Sequence, residues 1–210
     1  MHKTIKSIKL IQCNQLASNH PIEDRLRIAR FNFNDKENPD DETIALAVFD
    51  GHGGGSCADV ISQRLFHYIA ISLMPNPKSF SYETIGNLVE NLSLCPNPHD
   101  ILKHKYDKKA VEFLIYTVSQ KERKALETFS NEIKQCDVSD AIINAFQRCD
   151  NDLGQEIEQN LLSSPSNILL HYYLSLAVSG CCVTLMLIHK NTAYIASCGT
   201  FVSLFSVVLY

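Results

Sequence analysis

"AVFDGHGGGSCADV", residues 47–60, joins an apolar run to a helix-like run through an acid, a histidine and a block of glycines. Upstream, "IALAVFD" (44–50) is short and apolar, which predicts a buried strand. Downstream, Val60, Ile61, Leu65, Tyr68, Ile69 and Leu73 recur at helical spacing, with Ser56 as the expected N-cap and "MPNPKS" (74–79) as the stop. A glycine-rich strand-to-helix turn is phosphate geometry, yet Asp50 stands directly before the glycines, where a bare phosphate would be repelled.

Three familiar devices fail here on a missing residue. A P-loop needs Gly-Lys-Ser/Thr, and no such lysine follows. A dinucleotide loop places its acid about 20 residues further on. "HGGG" resembles an esterase oxyanion loop, but the chain contains no Gly-x-Ser-x-Gly nucleophile. A divalent cation between Asp50 and a phosphate removes the conflict. Hard cations take carboxylate and carbonyl oxygens, and Gly51 leaves its backbone open to the same ion. A second acidic pair, Glu23-Asp24, lies in "SNHPIEDR" ahead of the preceding strand. Two carboxylate clusters on neighbouring strands suit metal-assisted phosphoryl transfer, whereas each alone reads as a solvated turn or a helix N-terminal acid.

The wider sequence sets the frame. The chain has 210 residues, 45% hydrophobic and 20% charged, with a net charge of −4. That fits a globular domain with a sizeable core, lacks the basic excess of a nucleic-acid binder, and holds no apolar run long enough to span a membrane. Eight cysteines without a C-x-x-C pair predict mostly buried, reduced thiols rather than a disulfide frame or a zinc site. "FNFNDKENPDDET" (31–43) reads as a loop between strands, and 75–107, with four of the seven prolines, as an irregular insertion. Helices are expected over 108–129 and 137–162, the second capped by Asp137 with Ala141, Ile142, Ala145 and Phe146 on one face. "CCVTLMLIHKNTAYIAS" (181–197) predicts a hairpin turning at His189-Lys190-Asn191. The order favours an α+β domain with antiparallel pairing.

"VFDGHGG" with the upstream "ED", then "DAIINAFQRCDNDL" and "LAVSGCCVTLMLIHKNTAYIASCGT", resembles the metal-dependent PPM-type (type 2C) serine/threonine protein phosphatases, and within them the pyruvate dehydrogenase phosphatase branch. Asn19 stands where most of that family has an arginine, as in the mitochondrial branch. The resemblance implies a partial αββα sandwich of two antiparallel sheets flanked by helices. It implies two Mg²⁺ or Mn²⁺ ions, with Asp50 bridging them, the Gly51 carbonyl on one, Glu23 acting through a water and Asp24 supporting that shell. His52 is the implied general acid, with a loop hydrogen bond as its plainer role. His20 and Arg25 flank the acids where phosphate would approach, a surface salt bridge being the plainer role for Arg25. Asp150 and Asp152 fall on a helix outside the metal centre.

The family continues past the hairpin with Gly-Asp-Ser-Arg, whereas this chain reads "SCGTFVSLFSVVLY", with Thr200 in the place of the acid. The expectation is a C-terminally truncated, incomplete phosphatase domain over 1–210, with 75–107 as insertion and 200–210 as a divergent apolar tail. The implied substrate is a phosphoserine protein, pyruvate dehydrogenase. The implied partners are the dihydrolipoyl acetyltransferase core and a regulatory subunit, with no nucleic acid and no membrane span. The implied location is the mitochondrial matrix. The N-terminal "MHKTIKSIKLIQCNQ" has lysines but little arginine or serine, which leaves a cytoplasmic location open and lets "IKLIQ" be a first strand. Loss of the later aspartates makes a non-catalytic binding module for the dehydrogenase complex or the regulatory subunit the alternative function.

Overall fold

The structure is a computed structural model, and it describes residues 22–33, 43–92, 105–163, 166–190 and 192–199. The N-terminal segment with its candidate strand, His20, the polar loop over 34–42, Cys13, Cys95, Thr200 and the 200–210 tail lie outside the described residues.

The glycine turn sits where the sequence places it, between β2 (Thr43–His52) and α1 (Ser56–Leu73). The helix begins one residue earlier than a Ser56 cap requires: Gly55 is the N-cap and supplies no side-chain bond. β2 is central to an antiparallel sheet, in the order β3 (Val89–Asn91), β1 (Arg25–Phe31), β2, β4 (Gly180–His189), β5 (Thr192–Cys198). Strand alternation gives the sheet two distinct faces. One carries Ala29, Phe31, Ala45, Ala47, Phe49, Val183, Leu185 and Leu187, packed on Leu65, Phe66, Tyr68 and Ile69 of α1. The small alanines let the helix lie close, and Phe66 fills the space between Phe31 and Phe49, at ring separations of 6.0 and 6.3 Å. The other face carries Ile28, Ile44 and Met186, also buried, and points Asp50 away from α1.

A second helical layer covers α1. It consists of α3 (Lys108–Glu132), α4 (Val138–Ser163) and α5 (Asn167–Ala177), with a short α2 (Ile85–Leu88) leading into β3. Asp107 caps α3 by accepting from Ala110 N at 2.9 Å, and Asp137 does the same for Asp140 N at 2.9 Å. The layer is pinned to α1 by a buried network. Arg64 Nη1 donates to Glu156 Oε2 at 2.6 Å, Tyr173 donates to Glu156 Oε1 at 2.8 Å, and Tyr68 donates to Asp152 at 2.8 Å. Asp152 therefore serves the helix packing, as its helical position implied.

The α+β class and the hairpin are as expected. The hairpin pairs His189 with Thr192 and puts Lys190 at φ 54°, the left-handed conformation that a two-residue turn demands. Among the described residues there is one sheet. Of the 75–107 segment, the described residues 75–92 hold two 3₁₀ turns, α2 and β3, and β3 forms the sheet edge beside β1. The six described cysteines are free thiols, but only Cys149 is buried and Cys198 is exposed, because most of them fall on the sheet end and helix start around the glycine turn. No described helix is long and apolar enough to cross a membrane.

Candidate functional site

Asp50 lies near the end of β2 on the face away from α1, opposite Cys182 of β4. The extended stretch just before β1 brings the second acid to it. Asp24 Oδ1 accepts a hydrogen bond from the Gly51 N–H at 3.2 Å. This approach needs a glycine, since a Cβ at residue 51 would fall on the carbonyl oxygen of Glu23 and lie 3.2 Å from the Cβ of Ala58. Glu23, Asp24, Asp50 and Gly51 thus meet at one sheet end, although the two acidic stretches are separated by a strand and a loop.

The electrostatics follow from that meeting. Burial, the charge of Asp24 and a hydrogen bond shared with Asp24 push the Asp50 carboxyl above its ordinary value, while nearby His52 pulls it down. Two carboxylates held this close repel one another unless a proton or a cation lies between them. The donor set is all oxygen, which suits Mg²⁺ or Mn²⁺ rather than a soft metal. Among the described residues, no three of His, Cys, Asp and Glu gather closely enough to enclose an ion by themselves. The fit is therefore to one side of a site.

The glycine turn holds His52 beside the acids. Gly53 has φ +71° and Gly54 φ +121°, and a Cβ at Gly53 would lie 2.6 Å from the Val178 carbonyl oxygen. His52 is exposed, and its ring rests on Gly180, where any Cβ would fall on the imidazole. Ser179 locks the helix start: its Oγ accepts from Cys57 N at 3.1 Å and donates to the Ser175 carbonyl at 2.7 Å. Ser179 and Gly180 were not among the expected site residues. Their signal was a Ser-Gly pair between an apolar helix and the hairpin.

Arg25 departs from expectation. Its ion pair is buried rather than superficial: Nε lies 2.5 Å from Asp59 Oδ1, with the two side chains 10% and 4% exposed. Its Nη1 donates to the carbonyls of Ile22 at 3.0 Å and Asp24 at 2.7 Å. Its guanidinium is turned to Asp59 and to the backbone of residues 22–24.

No family profile matches the chain. Curated proteins do. Mitochondrial pyruvate dehydrogenase (acetyl-transferring) phosphatase 1 of Homo sapiens is 30% identical over 204 residues, covering 94% of this chain and 35% of that protein. The Bos taurus form gives the same figures. Phosphatase 2 of Homo sapiens is 29% identical over 200 residues, covering 92% of this chain and 34% of its own length. The chain spans about a third of the length of the curated relatives it matches. Over nearly its whole length the chain is thus similar to the mitochondrial pyruvate dehydrogenase phosphatases.

Proposed function

We propose that the chain carries the acidic half of a metal-dependent protein serine/threonine phosphatase centre of the pyruvate dehydrogenase phosphatase type. The observation that carries this reading is the meeting of Asp24 with Asp50 and Gly51 at one end of the sheet. The names of the relatives support the reaction class, a mitochondrial location and pyruvate dehydrogenase as the protein acted on.

Asp50, Asp24, Glu23 and the Gly51 carbonyl would hold Mg²⁺ or Mn²⁺. When bound, the ion supplies Lewis acidity for in-line attack of water on the phosphorus of phosphoserine. The rest falls to the chain's own side chains. Asp50 is fixed at the end of a central strand, so its oxygens are preorganised at low entropic cost. His52, held against Gly180 and near Asp50, is the group to give a proton to the departing serine oxygen.

The test is Mn²⁺-dependent phosphate release from a phosphoserine peptide of pyruvate dehydrogenase by the 210-residue chain, abolished in Asp50→Ala. A folded chain that releases none above background at millimolar Mn²⁺ would sink the catalytic reading.

A further inference from the structure

Arg25 follows the acidic pair directly, and its guanidinium reaches two separate elements. Nη1 bonds the carbonyls of Ile22 and Asp24, the residues on either side of Glu23. Nε bonds Asp59 in the first turn of α1, and a Cβ on Gly55, just before that helix, would lie 3.1 Å from Nη2. Carbonyls alternate in direction along extended backbone. Those of Ile22 and Asp24 turn to Arg25, and that of Glu23 turns to Gly51. The same arginine thus sets the path of the acidic stretch and anchors it to the helix that ends the glycine turn.

We propose that Arg25 is the positioning residue of the carboxylate centre: by clamping residues 22–24 to Asp59 it sets the angle at which Asp24 meets Gly51 and Asp50. The part of this that concerns metal rests on the function proposed above. Only a planar guanidinium can do it. The three contacts diverge from one rigid fork, and a lysine ammonium, a single point on a flexible stem, reaches one set at a time. Groups that orient metal ligands typically govern affinity about 10- to 100-fold.

The experiment compares the wild-type chain with Arg25→Lys, Arg25→Gln, Asp59→Asn and Asp50→Asn, each first shown to melt cooperatively. Free Mn²⁺ is followed by electron paramagnetic resonance, and the Gly51 amide by ¹⁵N NMR without metal. The expected result is Mn²⁺ binding weakened roughly 10-fold or more in both Arg25 variants, with a shifted, faster-exchanging Gly51 amide. Asp59→Asn, which keeps the carbonyl contacts, shows the same changes to a smaller degree. If Arg25→Lys keeps wild-type affinity and an unmoved Gly51 amide while Asp50→Asn abolishes binding, the clamp is overturned and the metal reading stands. If the wild-type chain takes up no Mn²⁺, the metal reading falls. The Gly51 amide then decides alone: shifted in Arg25→Lys it supports the clamp, unmoved it overturns it.

Discussion

Gly51 and the Glu23 carbonyl occupy adjoining space that no side chain can share, because a Cβ on Gly51 would fall on that oxygen. Backbone meets backbone here, so neither partner can rotate away. Gly51→Ala should therefore push residues 22–24 off β2, destabilise the chain by about 1–3 kcal/mol, and lengthen the Asp24 contact. Urea melts give the first quantity, and loss of Mn²⁺ uptake the second. A variant of unchanged stability and affinity would show that the close approach is not required.

Asp50→Asn is expected to stabilise the metal-free chain. Burial and Asp24 raise the Asp50 carboxyl above its ordinary value, so the folded state holds a proton over a window where the unfolded state has lost it. Stability then falls as pH rises through that window and stays lower above it. Without metal, the variant should melt higher than wild type at pH 7, with the gap closing below about pH 4. A lower melting temperature for the variant at pH 7 contradicts the repulsion.

The opposite sign is expected at Glu122. Burial alone would raise its carboxyl, but the hydrogen bond from His67 at 2.8 Å and the charges of His67, Arg64 and Arg27 outweigh it and leave it lowered. A lowered carboxylate contributes stability above its ordinary value and loses it as pH falls toward the folded one. Glu122→Gln should be less stable than wild type at pH 7, with the difference shrinking below about pH 4.3. A pH-independent difference would point to packing instead.

Arg64 and Glu156 are 4% and 7% exposed and 2.6 Å apart, so removing either leaves a buried charge. Glu156→Gln or Arg64→Met should each cost about 3–5 kcal/mol. The double variant Arg64→Met/Glu156→Leu should lose less than the sum, which a double-mutant cycle in urea measures.

Gly180→Ala tests His52 without touching it. The added methyl displaces a side chain rather than backbone, so the fold should survive with a melting temperature close to wild type. Phosphoserine hydrolysis should fall about 100-fold in kcat with Mn²⁺ affinity kept. An unchanged kcat would leave His52 a loop residue.

Much of this molecule is legible in one dimension. The strand, glycine turn and first helix, the Asp137 cap and the hairpin are local patterns, each set by residues within a turn or two of one another. Among the elements that were not legible, β3 and α5 show why. β3 is three residues long, too short to show a period, and exists because β1 offers Ala29 to Phe31 as partners. α5, "NILLHYYLSLA", is apolar nearly all round, so it lacks the polar face that would announce a helix.

By itself the sequence determined that Asp50 and Gly51 end a buried strand before a helix, and that an acidic pair precedes the neighbouring strand. Only the tertiary structure decided that Asp24 meets Gly51, that His52 rests on Gly180, and that Arg25 turns inward to Asp59. The physical reason is that strand register and helix docking are long-range choices. They are made by the burial of Phe49, Phe66 and Leu185, residues that carry no chemistry and yet set where the chemistry stands.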